Sequence, residues 1–191
     1  MLVSELLSDA SSKLSSAGVT SATVDAELLA CFCLNISRSD LQLMVATNQV
    51  FPSESLESFE SALARRVARE PLQHITGTAP FRHLELAVGP GVFTPRPETE
   101  QVVEFALEKI SAIANPLIVD LCSGSGAIAI SLATEISGSK VYAVELSEDA
   151  YSYLVRNVIS YGLQESNLRN QDLQFCLPEL DGQVDLVISN P

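Results

Sequence analysis

The sequence predicts an α/β protein in two parts, a small N-terminal helical bundle followed by a parallel, doubly wound sheet. Three observations predict it. Residues 2 to about 70 repeat apolar side chains at intervals of three and four, residues 71–96 are punctuated by Gly and Pro, and from residue 97 onward apolar strands alternate with helices. The chain of 191 residues is 47% hydrophobic, which is ample for packed cores.

In the helical part, assigned to residues 1–70, the apolar positions are Leu2, Leu6, Leu7 and Leu14, then Val24, Leu28 and Leu29, then Leu56, Phe59, Leu63 and Val67. Turns interrupt it at Ala17-Gly18 and between Asn48 and Ser53, where Pro52 and Ser53 suit a helix start. Residues 71–96 read as a β-hairpin connector, because Gly77, Pro80, Gly89, Pro90, Gly91 and Pro95 bracket the alternating stretch Leu84 to Val88. Pro97 suits the first position of a helix. Glu98 and Glu100 follow in the turn where the helix dipole favours carboxylates, and Val102, Val103, Ala106, Leu107 and Ile110 supply an apolar face. The sheet domain is therefore assigned to residues 97–191. Its strands are Leu117 to Leu121, Val141 to Glu145 and Val184 to Ser189, separated by an apolar helix from Ala127 to about Ile136 and a helix opening at Ser147.

Charge narrows the function. Eleven basic against 24 acidic residues leave a formal net charge of −13, unlike a protein that displaces counterions from a phosphate backbone. The four cysteines (Cys31, Cys33, Cys122, Cys176) form neither a metal-ligand spacing nor a disulfide framework, and His74 and His83 add little, so we expect a reducing, cytoplasmic setting and no metal. The N-terminus lacks a basic segment, and no apolar run approaches the roughly 18 residues of a membrane helix, so neither export nor a membrane is expected.

The chemistry-bearing text is Asp120-Leu-Cys-Ser-Gly-Ser-Gly126, between a buried strand and a helix. Gly124 and Gly126 can let backbone approach a ligand while the helix N-terminus points N–H groups at it, which suits a nucleotide-like molecule. Glu145 ends the next strand about 25 residues downstream, where a carboxylate can accept both hydroxyls of a ribose. Cys122 stands at the first glycine position of the dinucleotide fingerprint and Ile128-Ala129 follow the last, which argues against NAD.

With the terminal Asn190-Pro191 after an apolar strand, these residues resemble the S-adenosyl-L-methionine site of the class I methyltransferases that carry an Asn-Pro-Pro-Tyr motif. Pro71-Leu-Gln-His-Ile-Thr-Gly77 and Phe93-Thr-Pro-Arg-Pro-Glu-Thr-Glu100, together with the helical leader, resemble more specifically the release factor glutamine N5-methyltransferases. The resemblance implies a Rossmann-like class I methyltransferase domain, of which this text holds the first four strands of seven, behind a helical substrate-recognition domain. It also implies methyl transfer to the side-chain amide nitrogen of a glutamine in the Gly-Gly-Gln motif of peptide chain release factors. Asp120 and Cys122, Ser123, Gly124, Ser125 and Gly126 would then hold the methionine end of S-adenosyl-L-methionine, Glu145 the ribose, and Asp172 and Leu173 the adenine. Asn190 and the carbonyl of Pro191 would grip the substrate amide, and Phe93 and Arg96 would wall its pocket. Three positions depart from the family pattern: Cys122 replaces a commoner glycine, Glu145 stands where many members carry Asp, and the strand before Asp172 is polar, with Leu168 its clear apolar residue.

The expected partner is a release factor, with no direct nucleic acid and no membrane. About three strands, on the order of 80 to 100 residues, would be needed to complete the sheet; we therefore expect a truncated chain that self-associates through its last strand and turns over little. Two other readings stay open: adenine N6 methylation, since a flipped-out base presents the same planar NH2, and a non-catalytic module that keeps the cofactor fold for docking. Acidity weighs against the first, and the retained Glu145 and Asn190-Pro191 against the second.

Overall fold

The computed structural model describes all 191 residues, which form two compact units, Met1–Thr76 and Gly77–Pro191. The first is helical, with α1 at Val3–Ser16, α2 at Ala22–Leu34, α3 at Arg38–Ala46, α4 at Leu56–Val67 and the single turn α5 at Leu72–Thr76. Local chemistry sets these limits. The Leu2 N–H donates to Glu5 at 3.0 Å at the start of α1, Asn35 takes a left-handed conformation that ends α2, and Ser37 and Asp40 form a reciprocal cap on α3. Leu6, Leu14, Leu29 and Phe59 fill the core, while Val24 and Val67, counted in the periodic pattern, are exposed. In α2 the reason is that apolar residues surround the helix, so spacing alone does not select a face. Asp25 is buried there, and it accepts from Arg66 Nε at 2.7 Å and from Ser21 Oγ at 2.8 Å, so its charge is paired.

The second unit begins with a hairpin. β1 (Thr78–Phe81) pairs antiparallel with β2 (Leu84–Ala87), and Phe81, Leu84 and Leu86 share one core with Val103, Ala106 and Ile110 of α6 (Glu100–Ile110). The hairpin is thus part of the sheet unit rather than a connector of its own, and residues 71–76 close the helical unit. Arg82, at the hairpin tip, is the physical reason. Its guanidinium donates to both oxygens of Glu135, each at 2.7 Å, and to Glu104 at 3.1 Å, and its backbone N–H donates to Glu100 at 3.0 Å. The helix expected from Pro97 starts as a 3₁₀ turn, Pro97–Thr99, before α6.

The remaining elements are β3 (Leu117–Leu121), α7 (Ala127–Glu135), β4 (Lys140–Glu145), α8 (Glu148–Ser160), β5 (Leu168–Asn170) and β6 (Leu186–Ser189). All four strands of the sheet are parallel, in the order β5-β4-β3-β6. The chain therefore steps outward from β3 through β4 to β5, then returns to the other side of β3. That reversal opens a crevice at the carboxyl ends of the strands, where α/β proteins place ligands. The register of β6 is pinned by Asp185, whose side chain accepts from the Leu117 N–H at 2.8 Å while its own N–H donates to the Leu117 carbonyl at 2.9 Å. β5 is short and polar as its text suggests, with only Leu168 buried. No single helix is long and apolar enough to cross a membrane.

Candidate active site

β3 delivers Asp120 to the floor of the crevice. Its side chain is 1% exposed; Oδ2 accepts from the Ala129 N–H at 3.2 Å, while the buried Oδ1 has no partner. Burial, more than the nearby Glu145 charge, pushes this carboxyl up to about 7. The turn that follows is stitched to β4 by Ser123: its N–H donates to the Val144 carbonyl at 3.0 Å, and its Oγ accepts from the Val144 N–H at 3.2 Å and donates to the Asp120 carbonyl at 2.9 Å.

The two glycines do different work. Gly124, at φ +55°, has nothing within 4 Å of where a Cβ would stand, so its bare backbone faces open space. Gly126, at φ +87°, would place a Cβ 2.7 Å from Leu154, so its missing side chain admits α8 rather than a ligand. Cys122 also adopts positive φ, +59°, the conformation that glycine reaches without strain.

Glu145 stands where β4 ends. One carboxylate oxygen accepts from the Gly124 N–H at 2.8 Å and the other from the Ser147 N–H at 2.9 Å, which fixes the plane of the group. A carboxylate offers about four acceptor positions, so one on each oxygen remains for a pair of hydroxyls. On the opposite side β6 brings Asn190 level with the turn: Ser189 Oγ donates to the Leu121 carbonyl at 2.9 Å, and Asn190 Nδ2 donates to Thr99 Oγ1 at 2.8 Å. Phe93, 70% exposed, carries Arg96 against its ring at 5.3 Å.

These parts enclose one cavity of about 650 Å³. Asp120, Cys122, Ser123, Gly124, Ser125 and Glu145 line one side, and Phe93, Arg96, Asn190 and Pro191 the other. Gly126, Asp172 and Leu173 are outside the lining. Asp172 instead caps the 3₁₀ turn Leu173–Phe175, accepting from the Gln174 N–H at 2.9 Å, and Leu173 is half-exposed. The lining also includes Glu98, Thr99 and Ala150, which the motif reading did not single out. Thr99 stood within the Pro-Arg-Pro-Glu-Thr text, but nothing in the sequence joined it to a residue 91 positions away.

Residues 5–77 match the family described as PrmC N-terminal domain, and residues 118–191 match a methyltransferase domain. The release factor glutamine methyltransferase of Streptomyces coelicolor is 48% identical over 194 residues, covering 100% of this chain and 65% of the relative. That of Bifidobacterium longum is 40% identical over 202 residues, covering 100% of this chain and 69% of the relative. The chain belongs to the release factor glutamine methyltransferase family. A further relative, the 4-amino-L-phenylalanine/4-methylamino-L-phenylalanine methyltransferase of Streptomyces pristinaespiralis, is 34% identical and matches 99% of this chain and 64% of its own length. The family member described here therefore spans about two thirds of the length of these relatives.

The cofactor of this methyltransferase fold is S-adenosyl-L-methionine, and the residues present fit it. The unpartnered Asp120 Oδ1 is a buried acceptor suited to a cationic ammonium, the open face of Gly124 admits close approach, and Glu145 has acceptor positions free for ribose hydroxyls.

Proposed function

We propose that the protein transfers a methyl group from S-adenosyl-L-methionine to the side-chain amide nitrogen of a glutamine in peptide chain release factors. The observation that carries this reading is Asn190. It follows β6 on the cavity wall facing the glycine turn, its Nδ2 is engaged by Thr99, and its Oδ1 accepts from no protein donor. An acceptor-only edge of this kind suits a planar NH2 group, whose two hydrogens would go to Asn190 Oδ1 and the backbone oxygen of Pro191.

An amide nitrogen is a poor nucleophile because its lone pair is delocalised into the carbonyl. When bound, S-adenosyl-L-methionine supplies a sulfonium methyl group that needs no activation by the protein. The work left to this chain is positioning and electrostatics. Asn190 and Pro191 would hold the acceptor in the orientation that exposes its lone pair, and their oxygens favour the positive charge that develops on nitrogen. Phe93 and Arg96 would close the outer wall. Asp120 and the turn Cys122–Ser125 would hold the methionine end, Glu145 the ribose, and Asp172 and Leu173 the adenine beyond β5. A release factor substrate also makes the cytoplasm the site of action.

The Streptomyces pristinaespiralis relative favours a second reading, since its name specifies an amino acid whose ring bears an amine. That nitrogen too is planar and conjugated, so an acceptor-only edge does not by itself select between the two. The test is incorporation of labelled methyl from S-adenosyl-L-methionine into a purified release factor, into 4-amino-L-phenylalanine and into an adenine-containing oligonucleotide. Label on a glutamine of the release factor, abolished by Asn190→Ala, is the expected result; label on either other acceptor alone would overturn the assignment.

A further inference from the structure

α8 carries four residues at intervals of four, Asp149, Tyr153, Asn157 and Tyr161, the last at its C-terminal cap. β2 and the turn that follows it carry four residues at intervals of two, Glu85, Ala87, Gly89 and Gly91, each of which meets one of the helical series in order. Tyr161 Oη accepts from the Glu85 N–H at 2.7 Å and donates to the Glu85 carbonyl at 3.2 Å. Asn157 Oδ1 accepts from the Ala87 N–H at 2.7 Å, and its Nδ2 donates to the Ala87 carbonyl at 3.0 Å. A Cβ at Gly89 would collide with the Tyr153 hydroxyl, and one at Gly91 would come within 2.6 Å of Asp149. Within β2 the match is geometric: four helical residues rise about 6 Å and two extended residues about 6.7 Å. The hydrogen-bonding edge of β2 that no strand pairs is satisfied by side chains of a helix.

One member of this stripe reaches further. Asn157 is 1% exposed, and its Nδ2 also donates to the carbonyl of Ser125 at 2.8 Å, inside the glycine turn. The same amide group therefore grips the stem of the segment that ends in Phe93 and Arg96 and the backbone of the turn that lines the cofactor side of the cavity. Ser and Thr side chains reach less far, and Asp lacks both donors.

We infer that Asn157 is a positioning residue that ties the acceptor-side wall to the cofactor turn, so that each fixes the geometry of the other. The inference rests on the proposed function for the meaning of the two sides, but the tie itself is testable without any ligand.

The experiment is amide hydrogen exchange on the parent, Asn157→Ser and Tyr161→Phe, with S-adenosyl-L-methionine affinity measured on the same samples. In Asn157→Ser, exchange should accelerate about tenfold in two separate segments, 84–89 and 122–126, while 117–121 and 140–145 keep parental rates. Affinity for S-adenosyl-L-methionine should fall roughly tenfold. Tyr161→Phe should loosen 84–89 alone and leave the affinity within about twofold. Acceleration confined to one segment, or spread evenly over the whole sheet unit, would overturn the inference. If Asn157→Ser does not fold, Gly89→Ala lifts the segment from α8 at another point, and an unchanged turn 122–126 in that variant counts equally against the tie. The two-segment response in Asn157→Ser together with no S-adenosyl-L-methionine binding by the parent sinks the proposed function and leaves the tie standing.

Discussion

Asp120 holds a carboxyl in full burial with one oxygen unpartnered, and its pKa stands at about 7 against an ordinary 3.8. At about 1.4 kcal/mol per pH unit, ionising it in the ligand-free fold costs roughly 4 kcal/mol. The sign follows from the raised value. The stability contributed by the protonated form is fully present below pH 3.8 and is lost as pH rises through about 7. Asp120→Asn should therefore match the parent in urea denaturation near pH 4 and exceed it by about 2–4 kcal/mol at pH 8. The same variant should bind S-adenosyl-L-methionine more weakly, because a neutral amide replaces the anion that would face the ammonium group. A variant less stable than the parent at pH 8 would contradict the origin given for the raised pKa. Glu145 was legible because it ends an apolar strand, and Asp120 and Asn190 through the motifs that carry the family resemblance; the structure places all three on one cavity. Asn157 was not legible, since a polar residue inside an amphipathic helix gives no sign of which distant backbone it satisfies.

Among the elements, the glycine turn is the strand-to-helix loop at the crevice that the sequence predicts, and its two glycines meet different surroundings. They separate by neighbour rather than by conformation, as both have positive φ. Gly126→Ala should lower the stability of the sheet unit by about 2–4 kcal/mol through its clash with Leu154, with cofactor affinity little changed in the folded fraction. Gly124→Ala meets no protein atom, so it should cost about 1 kcal/mol of strain and chiefly weaken S-adenosyl-L-methionine binding. Denaturation and calorimetry on both variants check this; equal effects of the two on affinity would contradict it. The hairpin was legible from its punctuation, whereas its membership of the sheet unit was not, because Arg82 reaches Glu135 across 53 positions of sequence. Asp172 follows a strand whose text is polar, so the sequence alone says less about it. In the structure its side chain caps the turn that follows, and its proposed part in adenine binding, with Leu173, stands beside that role.

At the scale of the molecule, the alternation of strands and helices fixed a parallel sheet, and four strands in the order β5-β4-β3-β6 gather the site from three carboxyl ends. That arrangement sets Asp120, Glu145 and Asn190 around one cavity although they span 70 residues of sequence. Family membership and the geometry then converge on a single central claim, that this cavity binds S-adenosyl-L-methionine with its ribose on Glu145. The most direct measurement is titration calorimetry of the protein with S-adenosyl-L-methionine, parent against Glu145→Ala. The account predicts saturable binding to one site in the parent, weakened about 10- to 100-fold in the variant, as befits loss of charge-assisted hydrogen bonds. Equal affinity in the two proteins, or no binding by a demonstrably folded parent, would contradict it.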